Sequence, residues 1–189
     1  MSDVLSDTTG FLNSNDFYGA SVDDLRLIAA QVLIYADAVC PEHDDKSSDE
    51  MVKKIVQYLH DEEQVDDDSS HTCHFTFEYC GEEWIVMTSD LYDERYDEAK
   101  EQIVDHVQDE FQRAITGIST PLEPYIQIDT VGLVRDMEYG DEINMWLASY
   151  DGHVHEMSWA ETNVHGTVQV DAEWLRGADR GYLYAFREN

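Results

Sequence analysis

The sequence predicts an α+β fold, in which N-terminal helices precede two β-hairpins that form an antiparallel sheet against one long amphipathic acidic helix. Three observations lead to this reading. Apolar residues recur every three or four positions in residues 22–39 and again in 89–116. Between those stretches the period falls to two, in FTFEY (75–79) and WIVM (84–87). Turn-forming pairs, Gly81-Glu82 and Asp151-Gly152, punctuate the alternating segments.

Residues 1–20 hold three acids and no bases, with Ser, Asn and Gly between them, and read as a flexible lead. A helical segment is expected over 21–62. Ser21 and Asp24 have the spacing of a capping box, after which Leu25, Ile28, Ala29, Val32, Leu33 and Ala36 follow helical spacing to about residue 39, before Pro41. Ser48 then caps a second helix with Met51, Ile55, Tyr58 and Leu59 as its apolar stripe. DEEQVDDDSS (61–70) has six acids and one apolar residue, so it reads as an acidic linker to an α+β domain over 71–189.

In the first hairpin a two-residue loop at Gly81-Glu82, with Gly first, would set Tyr79 opposite Trp84 and Phe77 opposite Val86, joining one apolar face. From Ser89 to about Thr116 the stripe Tyr92, Tyr96, Ala99, Ile103, Val107, Phe111 and Ala114 marks the core side of a long helix. A shorter helix over 129–139 ends at Gly140. INMWLASY, Asp151-Gly152 and HVHEMSW then read as a second hairpin, followed by strands near 164–170 and 181–187.

Forty-two acids against eleven bases give a formal charge of -31. Six Phe, four Trp and eleven Tyr supply enough apolar surface to argue against disorder. The bases are scattered, so neither a phosphate backbone nor an anionic membrane finds a basic patch, and a cationic partner is expected instead. The longest uncharged apolar run, Leu27 to Ala36, falls short of the ~20 residues of a membrane span. The acidic MSDVLSD is unlike a signal peptide, and three cysteines do not make a disulfide framework. A cytoplasmic protein is the expectation.

HTCHFTFEYC (71–80) raises the question of zinc. Structural sites join closely spaced ligand pairs, whereas Cys73 and Cys80 are too far apart to form one. His71 and Cys73 share strand parity with Phe75 and are placed on the core side, and His153 and His155 could complete four ligands only if the hairpins were neighbours. No metal site or cofactor is therefore assigned. Cys40, with Pro41 and His43, lies among carboxylates that would suppress a thiolate. With this many acids, no pair of carboxylates carries information about acid–base catalysis. The chain is not read as an enzyme.

The remaining signal is the acid face of the long helix: Asp90, Asp93, Glu94, Asp97, Glu98, Glu101, Asp105, Asp109 and Glu110, extended by Asp66, Asp67 and Asp68 of the linker. Like charges at i, i+3 and i+4 destabilise a helix, and ordinary solvated faces relieve that repulsion with Lys. Duplex DNA carries one charge per ~1.7 Å, so 31 charges correspond to about 53 Å of duplex, against roughly 40 Å for the width of a compact chain of this length. The acid face is thus expected to present a DNA-like field to a basic cleft.

YIQIDTVGLVRDMEYGD (125–141) resembles the C-terminal signature of the ArdA antirestriction family, and LASYDGHVHE with the terminal YLYAFREN is similar to the ends of small acidic proteins of tailed phages. The resemblance is confined to the C-terminal third. It implies a DNA mimic from a phage or mobile element, acting in the bacterial host cytoplasm on a DNA-binding defence protein, with a possible homodimer and with Arg135 and Asp136 in structural roles. An immunity protein or antitoxin for a basic toxin, a small zinc-binding enzyme, and a protein adapted to molar salt are the competing expectations.

Overall fold

The computed structural model describes residue 17 and residues 20–44, 47–65, 73–116, 127–148, 150–158 and 182–188. The elements among them are α1 (Val22–Tyr35), α2 (Ser48–Asp61), β1 (His74–Tyr79), β2 (Glu82–Thr88), α3 (Ser89–Thr116), α4 (Thr130–Tyr139), α5 (Glu142–Leu147), β3 (His155–Ser158) and β4 (Tyr182–Arg187). The α+β class follows: an antiparallel four-stranded sheet of order β1-β2-β4-β3 packs against the long α3.

Helix α1 starts where its capping box places it. The Asp24 amide donates to Ser21 Oγ at 3.2 Å, and the Ser21 amide donates to the Asp24 carboxylate at 2.9 Å. It stops at Tyr35 rather than near 39, because Asp37 turns left-handed (φ 53°) and the Ala38 amide donates to the Leu33 carbonyl at 2.9 Å. This closure satisfies the last carbonyls without help from Pro41. Helix α2 ends in the same way, with Glu63 at φ 52° and Gln64 donating to Leu59 at 3.2 Å. Its cap is Ser47, one residue before the expected Ser48.

The first hairpin keeps the expected faces but not the expected register. Phe77 lies opposite Trp84 and Tyr79 opposite Glu82, so the turn is Cys80-Gly81. Both turn residues have positive φ, 53° and 83°, the requirement of a type I′ turn, whose twist matches that of the strands. The slip is two residues, which preserves side-chain parity. The Phe77 and Trp84 rings therefore still share a face and stack, with centroids 6.3 Å apart.

Cys80 is also disulfide-bonded to Cys40, and Cys73 stays outside the disulfide. Three cysteines thus yield one disulfide, where the sequence led to no expectation of a pairing. Beside this bridge, Tyr79 Oη accepts the Cys40 amide at 3.2 Å and lies 2.7 Å from His43 Nδ1. The α1–α2 loop is pinned to the hairpin tip.

The second expected hairpin does not form. Residues 142–147 are helical, and β3 pairs instead with β4, His155 opposite Ala185. Ile143 and Leu147 are one helical turn apart, and Asn144, a poor strand former, accepts a hydrogen bond from Tyr92 Oη. Asp151-Gly152 is a turn, with Gly152 at φ 75°, but it joins a helix to a strand. The strand expected at 164–170 lies outside the described residues.

Side chains alternate across the sheet to serve two layers. Phe75, Phe77, Tyr79, Trp84, Val86, Leu183 and Ala185 meet Leu25, Ile28, Leu33, Ile55 and Leu59 of α1 and α2 in one core. Ile85, Met87 and Phe186 meet Tyr92 and Ala148 in the other. Phe17, in the expected lead, is buried and packs edge-on against Phe75 at 5.0 Å. Val65, in the expected linker, is buried and bridges Phe77. No helix among the described residues is long and apolar enough to cross a membrane.

The Cys40–Cys80 bridge closes a loop of 40 residues, and Cys80→Ser is expected to cost about 2–4 kcal/mol of unfolding free energy in urea without reductant. In the folded, unreduced protein a thiol reagent should titrate Cys73 alone. Titration of all three cysteines would contradict the pairing.

Candidate functional site

Helix α3 begins at Ser89 with no residue between it and the last residue of β2, Thr88. Its course is therefore set by a central strand. One turn in, Tyr92 stacks on Tyr184 of β4, centroids 3.8 Å apart and planes 5° from parallel. Further along, Ala99 and Ile103 bury against Met137 of α4 and Ile143 of α5. Ala114 is exposed and Ile115 takes its place in the core, because a helix of 3.6 residues per turn drifts across a fixed face.

With that side fixed inward, all nine carboxylates of α3 are exposed. At about 100° per residue, Asp90, Asp93, Glu94, Asp97, Glu98, Glu101, Asp105 and Asp109 fall within an arc of about 160°. Glu110 falls outside it and is paired with Arg113. Lys100 bridges Asp97 at 2.6 Å and Glu138 of α4 at 3.3 Å while lying over the Tyr96 ring. The hydrogen bond to Asp97 raises the Lys100 pKa, burial opposes it, and the hydrogen bond to Glu138 adds to the rise, so the ammonium stays charged. Only Arg95, Lys100 and Arg113 offset the nine acids of this helix. Asp66, Asp67 and Asp68 lie outside the described residues.

The other sequence candidates do not converge. Cys73 is exposed ahead of β1 rather than turned to the core, because the strand begins one residue later. His153 is exposed, its amide donating to Asp151 at 2.9 Å. His155 is half-buried, 6.0 Å from the Trp84 ring. Burial lowers its pKa, with His153 and Arg187 adding and Asp151 opposing. His71 lies outside the described residues. Among the described residues no three His, Cys, Asp or Glu side chains are placed to hold a metal ion. Cys40 is in the disulfide and offers no thiolate. Arg135 and Asp136 are exposed on α4, with their side chains 3.5 Å apart.

One surface feature has no counterpart in the sequence reading. Met145 and Trp146 of α5 are 59% and 43% exposed beside the acid-bearing α3. A helical reading of EINMWL, with Ile143 and Leu147 inward, would have placed them outside.

Comparison of the chain with protein-family models, with curated proteins and with solved structures gives no match.

Two stability effects follow. Replacing Asp93, Asp97, Glu101 and Asp105 by Asn or Gln removes like-charge pairs worth a few tenths of a kcal/mol each. Thermal unfolding should shift upward by a few degrees, and added salt should stabilise the parent protein more than this variant. At alkaline pH the tyrosines govern. Burial, then neighbouring Tyr96 and Tyr184, raises the Tyr92 phenol strongly, and burial, then Glu156 and Asp93, pushes Tyr184 up to about 12. Because the folded pKa values exceed the unfolded value near ~10, this stability is intact below about pH 10 and lost as pH rises through the folded values. A melting series against pH, with phenolate absorbance followed in parallel, should show that decline; a flat profile to pH 12 would contradict it.

Proposed function

We propose that this chain inhibits a host nucleic-acid-binding defence system, of the restriction–modification or CRISPR type, by presenting α3 as a DNA-like anionic surface. The observation that carries the reading is the exposure of all nine α3 carboxylates on a helix whose opposite side is anchored in the core. Side chains at i and i+4 stand roughly 5–6 Å apart, close to the spacing of phosphates along a strand. The face can therefore occupy a cleft built for a phosphate backbone, in the host cytoplasm and without chemistry. Exposed charge pairs of this kind are screened by salt, so the complex should weaken steeply as salt rises.

A second reading, an immunity protein for a basic toxin, is favoured by Trp146 and Met145, which offer an apolar anchor that DNA lacks. Such a complex would depend less on salt.

Affinity capture from bacterial lysate, at low and at high salt, separates the two. Recovery of a DNA-binding complex that duplex DNA displaces, and that the four-acid variant captures at least about tenfold less well, supports the first reading. Capture unaffected by those four substitutions would sink the assignment of this face. One small basic protein resisting both salt and DNA would favour the second reading.

A further inference from the structure

The layer that carries the acids also holds an apolar groove. Trp146 lines two clefts on it. The larger, 470 Å³, runs between α3, α4 and α5 over Ile103, Val107, Leu133 and Met137. The smaller, 380 Å³, lies over Ala99 and Leu147, with Gln102 and the base Arg95 beside them. Each has a carboxylate in its wall, Glu142 in the larger and Glu98 in the smaller, and both side chains belong to exposed residues. The His106 ring stands 5.9 Å from Trp146. Behind Met145 the chain turns tightly: Gly152 has φ 75°, its amide donates to the Ala148 carbonyl at 2.7 Å, and a Cβ added there would sit 3.4 Å from Met145 Cγ. That turn backs Met145, so its outward position is set by packing.

Large apolar side chains around a groove with a hydrophobic floor mark a docking surface when something of fitting chemistry exists to cover them. Charge decides what that is. Helices α3, α4 and α5 carry twelve acids against four bases. A second copy of a chain with charge -31 would bring like charge to an acid-walled groove. The chain's own segments outside the described residues do not complement it either, since 1–16, 66–72, 117–126 and 159–181 each hold more acids than bases. Nucleic acid and anionic lipid are repelled for the same reason.

We infer that the α3–α4–α5 groove docks a basic amphipathic segment of a protein partner, bulky apolar side chains seating against Trp146 and Met145 while flanking Lys or Arg residues meet Glu98 and Glu142. This goes beyond the acid-face reading. The carboxylates of α3 steer a cationic partner in, and the groove supplies a short-range anchor that salt screens little. A cleft that reads phosphates alone gains nothing from Trp146; a protein segment does.

The test uses the full chain and two labelled synthetic peptides of equal length and equal Lys content, one with Leu at i, i+3, i+4 and i+7 and the other with Ala there. At high salt the Leu peptide should bind at least about tenfold more tightly by fluorescence anisotropy. Met145→Ser combined with Trp146→Ser should erase that advantage, with far-UV circular dichroism confirming the fold. Substituting Asp97, Glu101 and Asp105 by their amides should weaken both peptides alike at low salt and leave the advantage in place. Equal affinities at high salt, or an advantage that survives the double substitution, would overturn the inference. If the double variant fails to fold, a photoreactive leucine in the peptide decides the matter on the unaltered protein: crosslinks to α5 support the groove, and crosslinks confined elsewhere overturn it. If the charge substitutions change nothing while the groove substitutions remove binding, the groove stands and the acid-face reading falls.

Discussion

Burial of β2 on both faces is the constraint on which the rest of the structure depends. Trp84 to Thr88 are five consecutive buried residues, with Trp84 and Val86 turned toward α1 and α2 and with Ile85 and Met87 turned toward α3. A strand of this kind must be covered on both faces, because either face left open would expose large apolar area to water. It pairs on one side with β1 and on the other with β4. Arg187 of β4 lies over the Trp84 ring, 5.2 Å from its centroid, and reaches Glu82 at 3.0 Å and Asp151 at 3.4 Å, tying the strand start to the turn before β3.

The direct passage from β2 into α3 carries this constraint outward. The tyrosine stack at Tyr92 and Tyr184 fixes the first turn, and the Ala99–Ile103 contact with α4 and α5 fixes the middle. Rotation of α3 about its axis would turn carboxylates into an apolar layer, a cost of several kcal/mol per unpaired charge. The orientation of the acid face is therefore a consequence of core packing, and the core is what supports the repulsion on the outside.

On the opposite side of the sheet, the α1–α2 loop is held at the hairpin tip by three interactions that share one place: the Cys40–Cys80 bridge, the Tyr79 hydroxyl accepting the Cys40 amide, and the His43 ring against Tyr58 and Tyr79. Burial raises the Tyr79 phenol above its ordinary pKa, partly offset by the Cys40 amide, so the hydroxyl stays neutral in this corner. The helical layer is thereby joined to the strands at β1, an edge strand whose outer side is also bridged at Val65.

The sequence by itself determined the features that repeat often enough to speak for themselves. The 28 residues of α3 carry several helical periods, so both its inward stripe and its nine outward acids were legible. Ser21 with Asp24, Gly140 at the end of α4, and the shared face of Phe75, Phe77, Tyr79, Trp84 and Val86 were legible too, since caps and strand parity are local properties. Only the tertiary structure decided the short and the distant. Six residues of EINMWL satisfy a helix and a strand about equally, and the hydrogen bond from Tyr92 to Asn144, 52 positions away, with the burial of Ile143, selects the helix. The hairpin register likewise turned on which residues could take positive φ, and the pairing of Cys40 with Cys80 on a separation of 40 residues that folding brings together. The groove at Trp146 was invisible for the same reason: it exists only where three helices meet, and no local period records their meeting.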